Sequence, residues 1–378
     1  MTGAPNGLGR VLVIGGGIAG MATAIAMSGR GFAVDIVEAD PDWKVYGAGL
    51  TITGPTLRAF RDLGLLPAIE REGFLVTGQR MFLFNGTLLA DQEPPPIAPG
   101  LPTAGGIMRP KLHQIMSAEV LARGVNVRLG TTMSDFRQDA SAVSVTLSDG
   151  TTADYGLVVV ADGIYSKTRK MLFKEPAVPT YTGQMSWRVV APRPSEMTRS
   201  EFFFGHANIA GIIPCSQSEV YAFILHPEVT PSRVADADKP AFLRSLLADF
   251  GGAMADIREG INAQSAIVQR PFEYALQTEP WHLGRFVLIG DAAHATTPHL
   301  ASGAGIAVED GLVLAQELEQ EGRSLPLALA AFTKRRFERC KFVVESSVEI
   351  GRRQLEGAPP EEIGMRMGKA MHVLAGEI

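Results

Sequence analysis

The chain has 378 residues, 46% of them hydrophobic and 20% charged, and a formal net charge of −5. That composition excludes a disordered chain, offers no basic stripe to nucleic acid, and suits a length of about two domains. Residues 1–10 do not read as a signal peptide, no apolar run is long enough to span a membrane, and Cys215 and Cys340 stand too far apart in sequence to frame a metal site. The expectation is a cytoplasmic globular protein in a reducing compartment, monomeric or homodimeric, with no bound metal.

In chain order, Val11-Leu-Val-Ile14 is an apolar strand that runs into Gly15-Gly16-Gly17-Ile18-Ala19-Gly20 and a small-residue helix to Met27. Strand, glycine turn and helix form the context in which a glycine triplet binds a dinucleotide. Gly15 permits the turn, Gly17 lets the backbone approach a pyrophosphate, and Gly20 lets helix pack on strand. The N–H groups of Ile18 and Ala19 then sit at a helix N-terminus suited to phosphate. A second strand, residues 33–37, ends at Glu38, 18 residues past Gly20, where a carboxylate accepts hydrogen bonds from ribose hydroxyls and repels a 2′-phosphate.

Further on, residues 80–84 read as a strand, Asn85-Gly86 as a hairpin turn, and Pro94-Pro-Pro96 as a loop. Arg109-Pro110 opens a helix at 111–123, with a strand at 126–129 and a hairpin at Ser148-Asp149-Gly150. The buried strand 157–161 precedes Asp162-Gly163-Ile164-Tyr165-Ser166-Lys167-Thr168-Arg169. Between 178 and 280, strand-like runs at 183–190, 201–204, 209–214, 220–225 and 267–272 are interrupted by a helix at 240–250. The strand 285–289 leads to Gly290-Asp291-Ala292-Ala293-His294, then Pro298-His299 and a helix at 306–319. The tail is helical, with Lys334-Arg335-Arg336 and Arg339 read as a solvated face because Glu338 and Glu345 lie among them.

The Asp162-Gly163…Ser166…Arg169 and Gly290-Asp291-Ala292-Ala293-His294…Pro298 stretches resemble the DGxxSxxR and GDAAH…P fingerprints of the flavin-dependent aromatic hydroxylases. These are the single-component group A monooxygenases that include p-hydroxybenzoate, salicylate and 6-hydroxynicotinate hydroxylases. The resemblance covers residues 10 to 340. It implies an α/β chain with a Rossmann-like, p-hydroxybenzoate hydroxylase-like FAD-binding domain (1–77, 103–176 and 281–325) interleaved with a mainly antiparallel β-sheet substrate domain (78–102 and 177–280). C-terminal helices occupy 326–378.

It further implies FAD held by Gly15, Gly17, Ile18, Ala19, Gly20, Glu38, Ala48, Gly49, Arg109, Asp162 and Asp291. Backbone N–H groups of Gly303, Ala304 and Gly305 would face the isoalloxazine pyrimidine edge. Here the family's usual P-x-x-G-Q-G becomes Pro298-His-Leu-Ala301-Ser302-Gly303.

NADH or NADPH would serve as a transient reductant near Asp162 and Arg169. O₂ and a small aromatic or heteroaromatic substrate would follow, with hydroxylation through a flavin hydroperoxide. Pro298 and His299 are the candidate catalytic residues, and Arg188, His206 and His226 the candidate substrate contacts. His294 reads as structural. Alternatives are Baeyer–Villiger oxidation, epoxidation, N-hydroxylation or oxidase chemistry on the same fold, and, more remotely, a non-catalytic binding protein.

Overall fold

The computed structural model describes residues 7–45, 47–205 and 208–378. Its first layer is a six-stranded sheet in the order His282–Leu283, Phe286–Leu288, Leu157–Val160, Val11–Ile14, Val34–Glu38 and Asn126–Leu129, parallel except for the first pair. The four inner strands are almost wholly apolar and buried, as a sheet covered on both faces demands. Helices Ile18–Ser28 and Gly303–Glu319 pack together, and a Cβ at Gly311 would lie 2.7 Å from the Thr23 backbone nitrogen. Only glycine admits that approach.

The second layer is a seven-stranded sheet in the order Ile267–Leu276, Thr180–Pro192, Glu219–Pro227, Ile209–Pro214, Ser200–Phe204, Gln79–Leu83 and Leu88–Gln92. All neighbours are antiparallel except Ser200–Phe204 with Gln79–Leu83. One face carries Trp187, Val189 and Ile224 and buries them against helices Lys239–Leu246 and Ala253–Gly260. The opposite face carries Val190, Phe202, Tyr221 and Phe223, which pack with Ala48 and Met108 from outside this sheet. The junction between the layers is therefore lined by residues of both parts of the chain.

Several elements differ from their sequence-based limits. The strand expected at 183–190 spans Thr180–Pro192, because flanking residues find partners on both neighbours. The helix expected at 240–250 closes at Leu246 and a second helix, Ala253–Gly260, follows the Gly251-Gly252 turn. The tail divides into Leu325–Leu355 and Pro360–Ala375. Its basic face is solvated only in part: Lys334 and Arg335 are exposed, but Arg336 is wholly buried and Arg339 pairs with Glu309, because the facing helix Gly303–Glu319 supplies carboxylates that sequence spacing cannot reveal. No helix among the described residues is long and apolar enough to cross a membrane.

Candidate active site

The glycine turn is built for close approach. Gly15 has φ +105, and a Cβ there would lie 2.4 Å from the Ala161 carbonyl oxygen; at Gly20 it would lie 1.9 Å from the Gly15 oxygen. At Gly17 a Cβ would meet nothing within 4 Å, so this residue borders open space at the start of helix Ile18–Ser28. That helix has no side-chain cap, and its first-turn N–H groups, Ile18 and Ala19 among them, are left for an anion. Glu38 ends its strand beside the turn. Its Oε2 accepts the Gly16 N–H at 2.7 Å and its Oε1 the Asp40 N–H at 2.8 Å, and each oxygen keeps a lone pair for a ribose hydroxyl.

The remaining fingerprints gather beside the same turn: a Cβ on Gly290 would lie 2.6 Å from the Ala19 Cβ. Asp291 follows Gly290, whose φ is +55, and stands exposed at the start of the short helix Asp291–His294. Burial of its surroundings pushes its pKa up, while His294 and Arg109 pull it down. Arg109 begins helix Arg109–Ala122, donates its N–H to the Ala48 carbonyl at 3.1 Å, and keeps a buried Nε without a partner. Asp162 accepts the Thr168 N–H at 3.1 Å through Oδ2, and its Oδ1 has no partner. Arg169 is fully buried and donates to the carbonyls of Ala292 and Ile164 at 2.7 Å each, tying the middle fingerprint to the Gly290-Asp291 turn. Its guanidinium is wholly buried, and its Nε has no partner.

The last turn departs from its expected role in detail. Gly303–Glu319 starts at Gly303, as the anion-binding reading requires. Gly305, however, is a packing position: a Cβ there would come within 2.3 Å of Thr56 Oγ1. Ala301 adopts φ +46, a left-handed conformation that glycine takes without cost, and it stands where the resembled pattern has glycine.

Around these groups stands a buried ion cluster. His294 Nε2 lies 2.6 Å from Asp310 Oδ2, which also accepts the Gly290 N–H at 2.9 Å. Arg336 reaches Asp310 Oδ1 and Glu309 Oε2 at 2.8 Å each. Burial opposes a charged imidazolium at His294, but Cys340 and Asp310 hold its pKa well above the usual value. His294, Asp310 and Cys340 lie close enough to suggest a metal site, yet Arg336 and the Gly290 N–H already occupy the Asp310 carboxylate. The carboxylate missing from the sequence neighbourhood of His294 comes from 16 residues further on.

The substrate-side residues separate. Arg188 pairs across the sheet with Phe223, on the face that packs toward Ala48 and Met108. Among the described residues its side chain has no hydrogen bond and no acidic partner. Burial lowers its pKa; Tyr221 pulls it up, and the like charges of Arg109 and Arg270 push it down. His226 is three residues from Phe223 in the same regular ladder, which puts it on the opposite face with Ile224, away from Arg188. It therefore does not share a face with Arg188. His206 lies outside the described residues.

His299 follows Pro298 in a short 3-10 turn and is buried. Its Nδ1 meets Thr297 Oγ1 at 2.9 Å and its Nε2 has no partner. Phe272 stands edge-on at 5.5 Å, and the absent Cβ of Gly351 leaves room for the ring. Desolvation drives its pKa to about 4 against the opposing pull of Gln354, so the imidazole is neutral at physiological pH.

These donors and acceptors fit FAD: open helix N–H groups for the pyrophosphate, Glu38 for a ribose, and Asp291, Arg109 and Asp162 with unspent polar atoms along one cleft. Asp291→Ala should therefore weaken FAD retention by about 1–3 kcal/mol, roughly five- to 150-fold in affinity, as a buried hydroxyl loses its acceptor. Flavin content after gel filtration and fluorescence titration read this directly, and wild-type affinity in the variant would remove Asp291 from the site.

Comparison with known proteins agrees. A family model described as an FAD binding domain matches residues 9–347. The putative FAD-dependent monooxygenase YetM of Bacillus subtilis (strain 168) is 30% identical over 357 residues, covering 93% of this chain and 95% of that protein. A 2-heptyl-3-hydroxy-4(1H)-quinolone synthase of Pseudomonas aeruginosa is 32% identical, covering 90% and 88%. Klebsiella pneumoniae HpxO, solved with FAD and uric acid, shares the fold with a TM-score of 0.86 at 22% identity, covering 97% of each chain. A match of that extent, joined to a cleft whose free donors and acceptors suit FAD, means that the chain belongs to the FAD-dependent monooxygenases.

Proposed function

We propose that this monooxygenase uses NADH or NADPH and O₂ to hydroxylate a small aromatic or heteroaromatic substrate that carries an anionic group, and that Arg188 binds that group. The observation that carries the reading is the half-buried side chain of Arg188, on the sheet face that packs toward Ala48 and Met108, with no acid to neutralise it. A half-buried charge without a protein partner is open to a ligand, and an anionic one supplies the partner and the bidentate acceptor that a guanidinium favours. Bound FAD supplies the redox chemistry and the activation of O₂. The protein's part is placement. Tyr221, Phe223, Phe202 and Val190 wall the site with apolar surface, exclude water and orient the ring.

His299 acts in this reading as a neutral hydrogen-bonding group. With a pKa near 4 it takes a proton poorly at pH 7, yet its unpartnered Nε2 can hold or pass one as a substrate hydroxyl or ring N–H ionises. His299→Ala should leave FAD content unchanged, lower coupled hydroxylation by about 10²-fold or more, and raise hydrogen peroxide release. Equal coupling in wild type and variant would reduce His299 to a packing residue.

The reading as a whole is tested by NADH and NADPH oxidation over a panel of aromatic and heteroaromatic carboxylates beside their neutral amides and esters, with product mass measured. The expected result is stimulation by an acid and a product heavier by one oxygen atom. Preference for the neutral analogues, or oxidation without oxygen insertion, rejects it.

A further inference from the structure

Trp43 has a left-handed backbone, with φ +47, in the loop after Glu38. A bulky residue persists in that conformation only where its surroundings hold it, and such strain gathers at ligand sites. Here the holding contacts are specific. The indole Nε1 donates to the Gly16 carbonyl at 2.9 Å, and the Trp43 N–H donates to the Asp40 carbonyl at 3.3 Å. The ring meets His113 edge to face, with centroids 5.4 Å apart and planes at 89°. A Cβ on Gly16 would lie 2.5 Å from the indole nitrogen and 3.3 Å from the Glu38 Cβ, so indole and carboxylate share one small region over the glycine turn.

The same Gly16 is held from both sides: Glu38 takes its N–H and Trp43 binds its C=O. His113 stands one helical turn beyond Arg109, so this face of helix Arg109–Ala122 runs from the Asp291 end of the cleft to the Glu38 end. Burial lowers the His113 pKa and Glu38 raises it; its Nε2 has no hydrogen-bond partner. Beside this group, the position of a Gly17 Cβ is open. An acceptor carboxylate, a flat apolar indole kept partly exposed, and an open path to a phosphate-binding turn are together the chemistry of a nucleoside subsite.

We propose that Trp43 is a wall of the FAD site that recognises the adenosine half of the cofactor, set in place by the Gly16 clamp and His113 before the ligand arrives. Because Glu38 and Trp43 are tied to the same residue, Gly16, ribose binding at Glu38 brings the adenosine against the indole. The flavin half lies toward Asp291 and Gly303, away from this ring.

Full-length protein labelled with 5-fluorotryptophan, prepared with and without FAD, tests this by ¹⁹F NMR. The chain has three tryptophans, and Trp43→Phe identifies the Trp43 resonance. FAD and ADP should each shift that resonance and FMN should not, while Trp187 and Trp281, both wholly buried elsewhere, stay in place. Trp43→Ala should weaken FAD and ADP binding by about ten-fold and leave FMN binding unchanged, with Trp43→Phe close to wild type. A Trp43 resonance unmoved by saturating FAD or ADP, or one moved by FMN, overturns the proposal, as does wild-type ADP affinity in Trp43→Ala. If Trp43→Ala fails to fold, the resonance shifts and the Trp43→Phe affinities decide.

Discussion

Arg336→Met is expected to destabilise the protein by about 3–5 kcal/mol, the range seen when one partner of a buried ion pair is removed. The guanidinium is wholly buried and contacts Asp310, Glu309, the Ile306 carbonyl at 3.1 Å and Cys340 Sγ at 3.4 Å. Methionine fills much of the volume but leaves two buried carboxylates with less positive charge. Glu309 keeps Arg339 at 2.8 Å, whereas Asp310 keeps only His294. Asp310 also holds the Gly290 N–H, so the loss should extend to the turn that carries Asp291. The variant should unfold at lower denaturant and release FAD more readily.

The sign of the pH dependence follows from His294. Its folded pKa is raised, so its contribution is complete below the unfolded value of about 6.5 and is lost as pH rises through the folded value. His299 works the other way: its folded pKa is depressed to about 4, so stability falls as pH drops from about 6.5 toward 4. Denaturant unfolding of Arg336→Met at several pH values reads the result, and a midpoint equal to wild type would show the cluster to be dispensable.

The parts legible in the sequence are those whose physics is local. Gly15, Gly17 and Gly20 are fixed by one turn, Glu38 by the end of one strand, and Asp291 by the strand before it, so spacing alone locates them. The ion cluster was hidden because Arg336 and Asp310 sit on different helices, 26 residues apart. A signal was nonetheless present: Phe332, Arg336, Cys340 and Val343 repeat at helical spacing, and an arginine inside an apolar stripe is buried with a partner. His226 was open to the same kind of reading. Tyr221, Phe223 and Leu225 alternate along one face, so His226 belongs to the other. The depressed pKa of His299 had no local signal, since Gly351 and Gln354 reach it from the long C-terminal helix.

Arg188→Gln should lower kcat/KM for an anionic substrate by about 10²–10³-fold, as truncating a buried charge partner costs roughly 2–5 kcal/mol. Neutral analogues, which gain nothing from the guanidinium, should react as in wild type. The stability of the variant separates this role from a structural one. An arginine held in an internal ion pair leaves a stranded carboxylate when it is removed, and the protein weakens; Arg188 has no such carboxylate. Its removal takes away a half-buried charge and strands no carboxylate, so the substrate-free variant should unfold at about the same denaturant concentration as wild type. Arg188→Lys should fall between the two in activity, because a point charge replaces the planar fork that matches a carboxylate. A lowered unfolding midpoint together with equal losses on charged and neutral substrates would make Arg188 a scaffold residue, and the anion would then have to be sought at Arg109 or Arg270, the other cations facing it.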